Sequence, residues 1–129
     1  GAKDEFLNTL KSGRDEYGAE AKYLLGKLLY EQKEYNQSIE TLISLNNDFR
    51  EYQDWVGKAF LLLADNYVAL NNFFQARGTL QSLVDDFPSD TVKEAARKKI
   101  IEIDKLQIEQ QKAQEADTLD TIDTTETNR

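Results

Sequence analysis

The chain has 129 residues, 40% hydrophobic and 31% charged, with a net charge of −8 and a pI near 4.6. Such a charge repels nucleic-acid backbones and anionic membranes, so neither is an expected partner. The absence of cysteine and histidine removes thiolate chemistry, the commonest general base and the commonest metal ligand. No apolar run approaches the roughly 18 residues of a membrane helix, so no direct membrane insertion is expected.

With one proline and many good helix formers, the chain reads as all-α. Its opening Gly1-Ala2 is read as a scar on a fragment of a longer protein. Residues 3–11 form a short expected helix with Phe6, Leu7 and Leu10 on one side, ended by Ser12-Gly13. A second helix is expected over 17–32. Leu24, Leu25, Leu28 and Leu29 give its apolar face, and Gly26 marks a close approach of another helix. The short Gln32-Lys33-Glu34 turn folds the chain back into an antiparallel helix over 35–48. Its inward positions are Tyr35, Ser38, Ile39, Leu42 and Leu45.

The same design then recurs. Leu25, Gly26 and Leu29 are answered by Leu63, Ala64 and Tyr67. Tyr35, Gln37 and Ser38 are answered by Phe73, Gln75 and Ala76, Leu42 and Leu45 by Leu80 and Leu83, and Asp48-Phe49 by Asp86-Phe87. Every pair is 38 residues apart, and the equivalence predicts like surroundings for Leu25 and Leu63. Asn71-Asn72 stops the first helix of the second unit, because Asn tolerates the left-handed conformation. After Pro88, Ser89, Asp90 and Thr91 offer N-caps for a long final helix over 90–113. Val92, Ala95, Ala96 and Lys99 are a degraded copy of Phe60, Leu63, Ala64 and Tyr67. The stretch 114–129 is acidic, Thr-rich and almost without apolar residues, and disorder is expected there.

Phe60, Leu63, Ala64, Tyr67, Ala76, Leu80 and Pro88 resemble the tetratricopeptide repeat pattern, whose usual period is about 34 residues. The four extra residues fall near Glu51-Tyr52-Gln53-Asp54, between the units. The resemblance covers repeat one (17–50) and repeat two (54–88), with the partial helix before and a capping helix after, so that 1–113 reads as one domain. Residues 17–25 and 59–67 look most like the C-terminal repeats of large Bacteroidetes proteins. More loosely, they are similar to repeats in cell-envelope assembly lipoproteins, which implies a bacterial envelope location. The implied fold is a right-handed superhelix of antiparallel helix pairs. The implied function is a protein-interaction scaffold without cofactor or reaction.

On that resemblance, a concave face lined by the first helix of each pair receives a peptide or partner protein. It would show Glu20, Tyr23, Lys27 and Tyr30 from the first unit, and Lys58, Leu61, Asp65 and Val68 from the second. The family's carboxylate clamp wants Lys and Asn where Tyr23 and Asp65 stand, which argues against a chaperone-tail ligand. Tyr23 and Tyr30 either contact peptide or pack between adjacent pairs. Lys27 and Asp65 either bind polar ligand groups or pair across the groove. Trp55 is expected to pack the lengthened loop, and Arg97-Lys98-Lys99 to form a solvated face. The alternative function is structural, a weak homo-oligomer formed through the final helix. Catalysis by a pair of carboxylates would need two acids converging in a dry cleft.

Overall fold

A computed structural model describes the backbone of residues 2–127 and the side chains of residues 16–119. It contains helices α1 (Ala2–Glu31), α2 (Tyr35–Asp48), α3 (Gln53–Ala69), α4 (Phe73–Asp86) and α5 (Asp90–Thr127), with no strand among the described residues. Two of these boundaries differ from expectation. α1 runs through Ser12-Gly13 without a break. One glycine in a helix interior costs only about 1 kcal/mol relative to Ala, and no proline follows to enforce a stop. Phe6, Leu7 and Leu10 lie outside the described side chains. At the other end, α5 runs past its expected end at 113 to Thr127. Its side chains from Glu109 to Leu119 are all exposed. Local contacts hold this part of the helix, including Thr118 Oγ1 donating to the Gln114 carbonyl at 2.9 Å.

The two hairpin turns are copies down to individual hydrogen bonds. Lys33 and Asn71 are both left-handed, at φ 65° and 59°. Glu34 N–H donates to the Leu29 carbonyl and Asn72 N–H to the Tyr67 carbonyl, each at 2.8 Å. Lys33 N–H donates to Tyr30 and Asn71 N–H to Val68, closing a Schellman-type stop in each unit. The conformation suits Asn better than Lys. Lys33→Gly is therefore expected to stabilise the chain by about 1 kcal/mol, raising the melting temperature by about 4–6 °C. Asn71→Gly should gain less. Thermal unfolding followed by circular dichroism checks both, and equal shifts would contradict the assignment.

Each helix packs on its successor, and α3 also touches both α1 and α5. Among the described residues α2 and α4 do not touch. The result is two layers. The first helices, α1, α3 and α5, are drawn together, while α2 and α4 splay apart outside them. A stack that is tight on one side and open on the other curves, with the α1/α3/α5 layer concave.

The core lies between the layers, around Leu42, Leu45, Leu63, Ala64, Ala76, Leu80, Leu83 and Ala96. Gly26 permits the closest approach, since a Cβ there would stand 2.7 Å from Leu42 Cδ2. Leu42 is itself fully buried and has nowhere to go. Ser38 ties three helices together: its Oγ donates to the Gly26 carbonyl at 2.7 Å and accepts from Asn66 Nδ2 at 2.9 Å. Outside the core, Arg77 pairs with Asp104 at 2.6 Å, pinning α4 to α5, and Lys22 pairs with Asp48 at 2.7 Å. The Lys22 hydrogen bond, followed by its charge, holds the Asp48 carboxyl below its ordinary value.

Leu25 and Leu63 do not share surroundings. Leu25 is 48% exposed and Leu63 5%. Leu63 lies on the side of α3 that meets the core and α2, whereas no described helix lies against the matching side of α1. The neighbours Leu24 and Leu28 are exposed for the same reason. The extra length of the second unit is also placed differently. Gln53 and Asp54 form the first turn of α3 rather than a loop. Asp54 there complements the positive end of the helix dipole.

Candidate interaction groove

The positions expected to form a concave face lie on the first helices of the two units: Glu20, Tyr23, Lys27 and Tyr30 on α1, and Lys58, Leu61, Asp65 and Val68 on α3, where Trp55 precedes them. α5 adds Val92, Lys99, Ile103 and Leu106. Glu20, Tyr23, Lys27 and Tyr30 are spaced three, four and three, as are Lys58, Leu61, Asp65 and Val68, so each set shares a helical face, and Trp55 stands three residues before Lys58.

At one end Tyr23 reaches across to α3. Its ring centroid is 5.7 Å from that of Trp55, and Lys58 Nζ lies 4.6 Å above the Trp55 ring. Both rings are half-buried, which gives a preformed aromatic platform with a cation beside it. Trp55 therefore joins two first helices rather than holding down a loop. Lys58 and Leu61 continue into a shallow recess that also takes in Val92.

At the other end, Asp65 and Val68 line a cleft against Lys99, Ile103 and Leu106 of α5. The cleft measures about 150 Å³. Pockets for small-molecule ligands typically run from about 300 to 1,000 Å³. This one fits a side chain. Lys99 Nζ donates to both Asp65 oxygens, at 2.8 and 3.1 Å. The expected pairing of Asp65 with Lys27 is absent: Lys27 is exposed, and Lys99 takes the carboxylate instead. Tyr30 packs on Tyr35, with centroids 5.8 Å apart. Burial, then the Asp65 charge, raises its phenol above the ordinary value of 10.0. Glu20 is half-buried on α1.

Two members of this face escaped a reading of the residues alone. Trp55 was assigned to the loop, and Lys99 to a solvated basic run. Lys99 did carry a signal, since it stands in the slot of Tyr67 in the degraded third copy, an inward position. Only Arg97 and Lys98 of that run are exposed, and Glu94 pairs with Arg97 at 3.4 Å.

No group of three or more acidic or metal-binding side chains converges among the described residues. No described helix is long and apolar enough to cross a membrane. Comparison with curated proteins and with solved structures finds no match. A family model, that of the tetratricopeptide repeat, matches residues 20–51 and 58–90. These two segments coincide with the two copies seen in the turns and the core, and repeats of this kind generally mediate protein–protein interaction. With just over half of its residues inside the two matched units, the chain belongs to the tetratricopeptide repeat family.

Proposed function

We propose that the chain is a binding scaffold that receives an extended peptide or partner-protein segment along the α1/α3/α5 face and performs no reaction on it. The observation that carries this reading is the layer geometry: the first helices touch one another while α2 and α4 do not. The resulting concave surface carries an aromatic platform at Tyr23 and Trp55 and a side-chain-sized cleft at Asp65 and Lys99. Aromatic residues are enriched where interfaces gain most of their energy. A partner segment with one large apolar or aromatic anchor and a nearby acidic group matches the platform and Lys58. The net charge of −8 disfavours nucleic acid as the occupant.

Selection from a random peptide library against the whole chain tests this reading. Selected peptides should lose at least about tenfold in affinity, or 1.4 kcal/mol, against Trp55→Ala and against Lys58→Glu. Variants of the outer layer, such as Gln37→Ala, should bind as before. Equal binding by all variants would move the site off the concave face.

A second reading is favoured by one feature of α5. Ile101, Ile108 and Leu119 are exposed along its length. Self-association through that helix would cover them. Sedimentation equilibrium decides it, since a strict monomer at high concentration ends the reading.

A further inference from the structure

The two units are related by a shift of 38 residues, and that relation identifies a second surface. On α1 the positions Tyr17, Ala21, Leu24, Leu25 and Leu28 are all exposed. Spaced four, three and four along the helix, with Leu25 beside Leu24, they form one apolar strip. Their equivalents on α3 are Trp55, Ala59, Leu62, Leu63 and Asn66. Of these, Ala59, Leu62, Leu63 and Asn66 are buried and Trp55 is half-buried. The helix packed along that side of α3 is α2. Its Leu42 and Leu45 share the core with Leu62 and Leu63, and its Ser38 holds the Asn66 amide at 2.9 Å. The molecule thus displays, one unit further on, what a strip of this kind is built to meet.

We propose that the Tyr17–Leu28 strip of α1 docks a partner helix of the α2 type. Such a helix is amphipathic and carries a small residue followed by Leu at the fourth and seventh positions after it. That seam reads Ser38, Leu42, Leu45 in α2 and Ala76, Leu80, Leu83 in α4. Among the described residues a second copy of this chain has no free helix of the pattern to offer, because all six of these side chains are buried within their own molecule. The strip also specifies the small residue. Where α3 presents the Asn66 amide to the Ser38 hydroxyl, α1 presents Leu28, so the docked helix needs Ala rather than Ser. This surface lies on the side of α1 that no described helix covers, and apart from Tyr17, the equivalent of Trp55, its positions differ from those of the groove.

The probe is a synthetic peptide of residues 35–48 carrying Ser38→Ala, held helical by a lactam bridge on its outer face. The readout is the methyl resonances of Leu24, Leu25 and Leu28 in the full chain. Saturable shifts at all three are expected. A peptide that also carries Leu42→Asp and Leu45→Asp should give none. Leu25→Asp in the chain, a change at an exposed position, should weaken binding at least tenfold while leaving the other methyl resonances in place. Three results would overturn the proposal. One is the absence of shifts at millimolar peptide, and another is shifts confined to the concave face. The third is contact between these methyls and distant residues of the free chain, or with a second copy in a dimer that Leu25→Asp dissociates.

Discussion

Gly26→Ala should destabilise the chain when Leu42 is present and stabilise it when Leu42 is alanine. In the native background the new Cβ would meet Leu42 Cδ2 at 2.7 Å and Cγ at 2.9 Å. Overpacking of this kind costs about 1–3 kcal/mol. The gain in helix propensity returns about 1 kcal/mol, which leaves a net loss of about 1 kcal/mol. Leu42→Ala alone removes a fully buried side chain and should cost about 3 kcal/mol. In that background the obstruction is gone, so Gly26→Ala should show its propensity gain of about 1 kcal/mol. Urea unfolding of the four proteins closes the cycle. An additive result would mean that α1 and α2 do not approach as closely here as the structure has them.

The second large effect concerns the docking of α5. Ala96 is fully buried, within the same core as Leu80 and Phe87. Ala96→Asp would place a carboxylate with no partner among apolar side chains, at a cost of about 4 kcal/mol. The helix should come away from α4 rather than pay this in place. Limited proteolysis should then cut within α5 first, while α1 to α4 remain protected, and the urea midpoint should fall. Ala96→Ser should cost only about 1 kcal/mol. Undocking would also separate Lys99 from Asp65 and remove one wall of the cleft. Any peptide selected on the concave face should accordingly bind this variant more weakly. Protection of α5 equal to that in the native chain would contradict its role as part of the core.

Much of this architecture was legible because the repeat is written in positions that local chemistry controls. α2 begins at the expected Tyr35 and α4 at its equivalent Phe73, and Asn71 takes the left-handed conformation that its residue type suggested. Gly26 signalled a close approach, and Leu42 makes it. What escaped notice depends on neighbours from elsewhere in the chain. Leu25 and Leu63 are the same residue at equivalent positions. Only the presence of α2 beside one of them makes their exposures differ, and no pattern within a helix reports that. Lys99 looked like one of three solvated cations until α5 was placed against α3, where Asp65 meets it. Trp55 was read as packing a loop because the extra residues seemed to lengthen that loop. Two of them, Gln53 and Asp54, belong to α3 instead, and the Trp55 ring meets Tyr23 of α1. Helix ends without tertiary contacts were the least legible. Ser12-Gly13 and the stretch after 113 carry no strong breaker, so local propensity decides them.

The curvature that makes the inner layer a binding face can be measured without any ligand. The chain has no cysteine, so pairs can be introduced at will. Glu20 and Lys58 are equivalent positions on α1 and α3, while Asn36 and Phe74 are equivalent positions on α2 and α4. Spin labels on Glu20→Cys with Lys58→Cys should report a shorter distance by pulsed electron resonance than labels on Asn36→Cys with Phe74→Cys. Equal distances, or a shorter outer pair, would mean that the stack is flat or curved the other way, and the concave face would be lost.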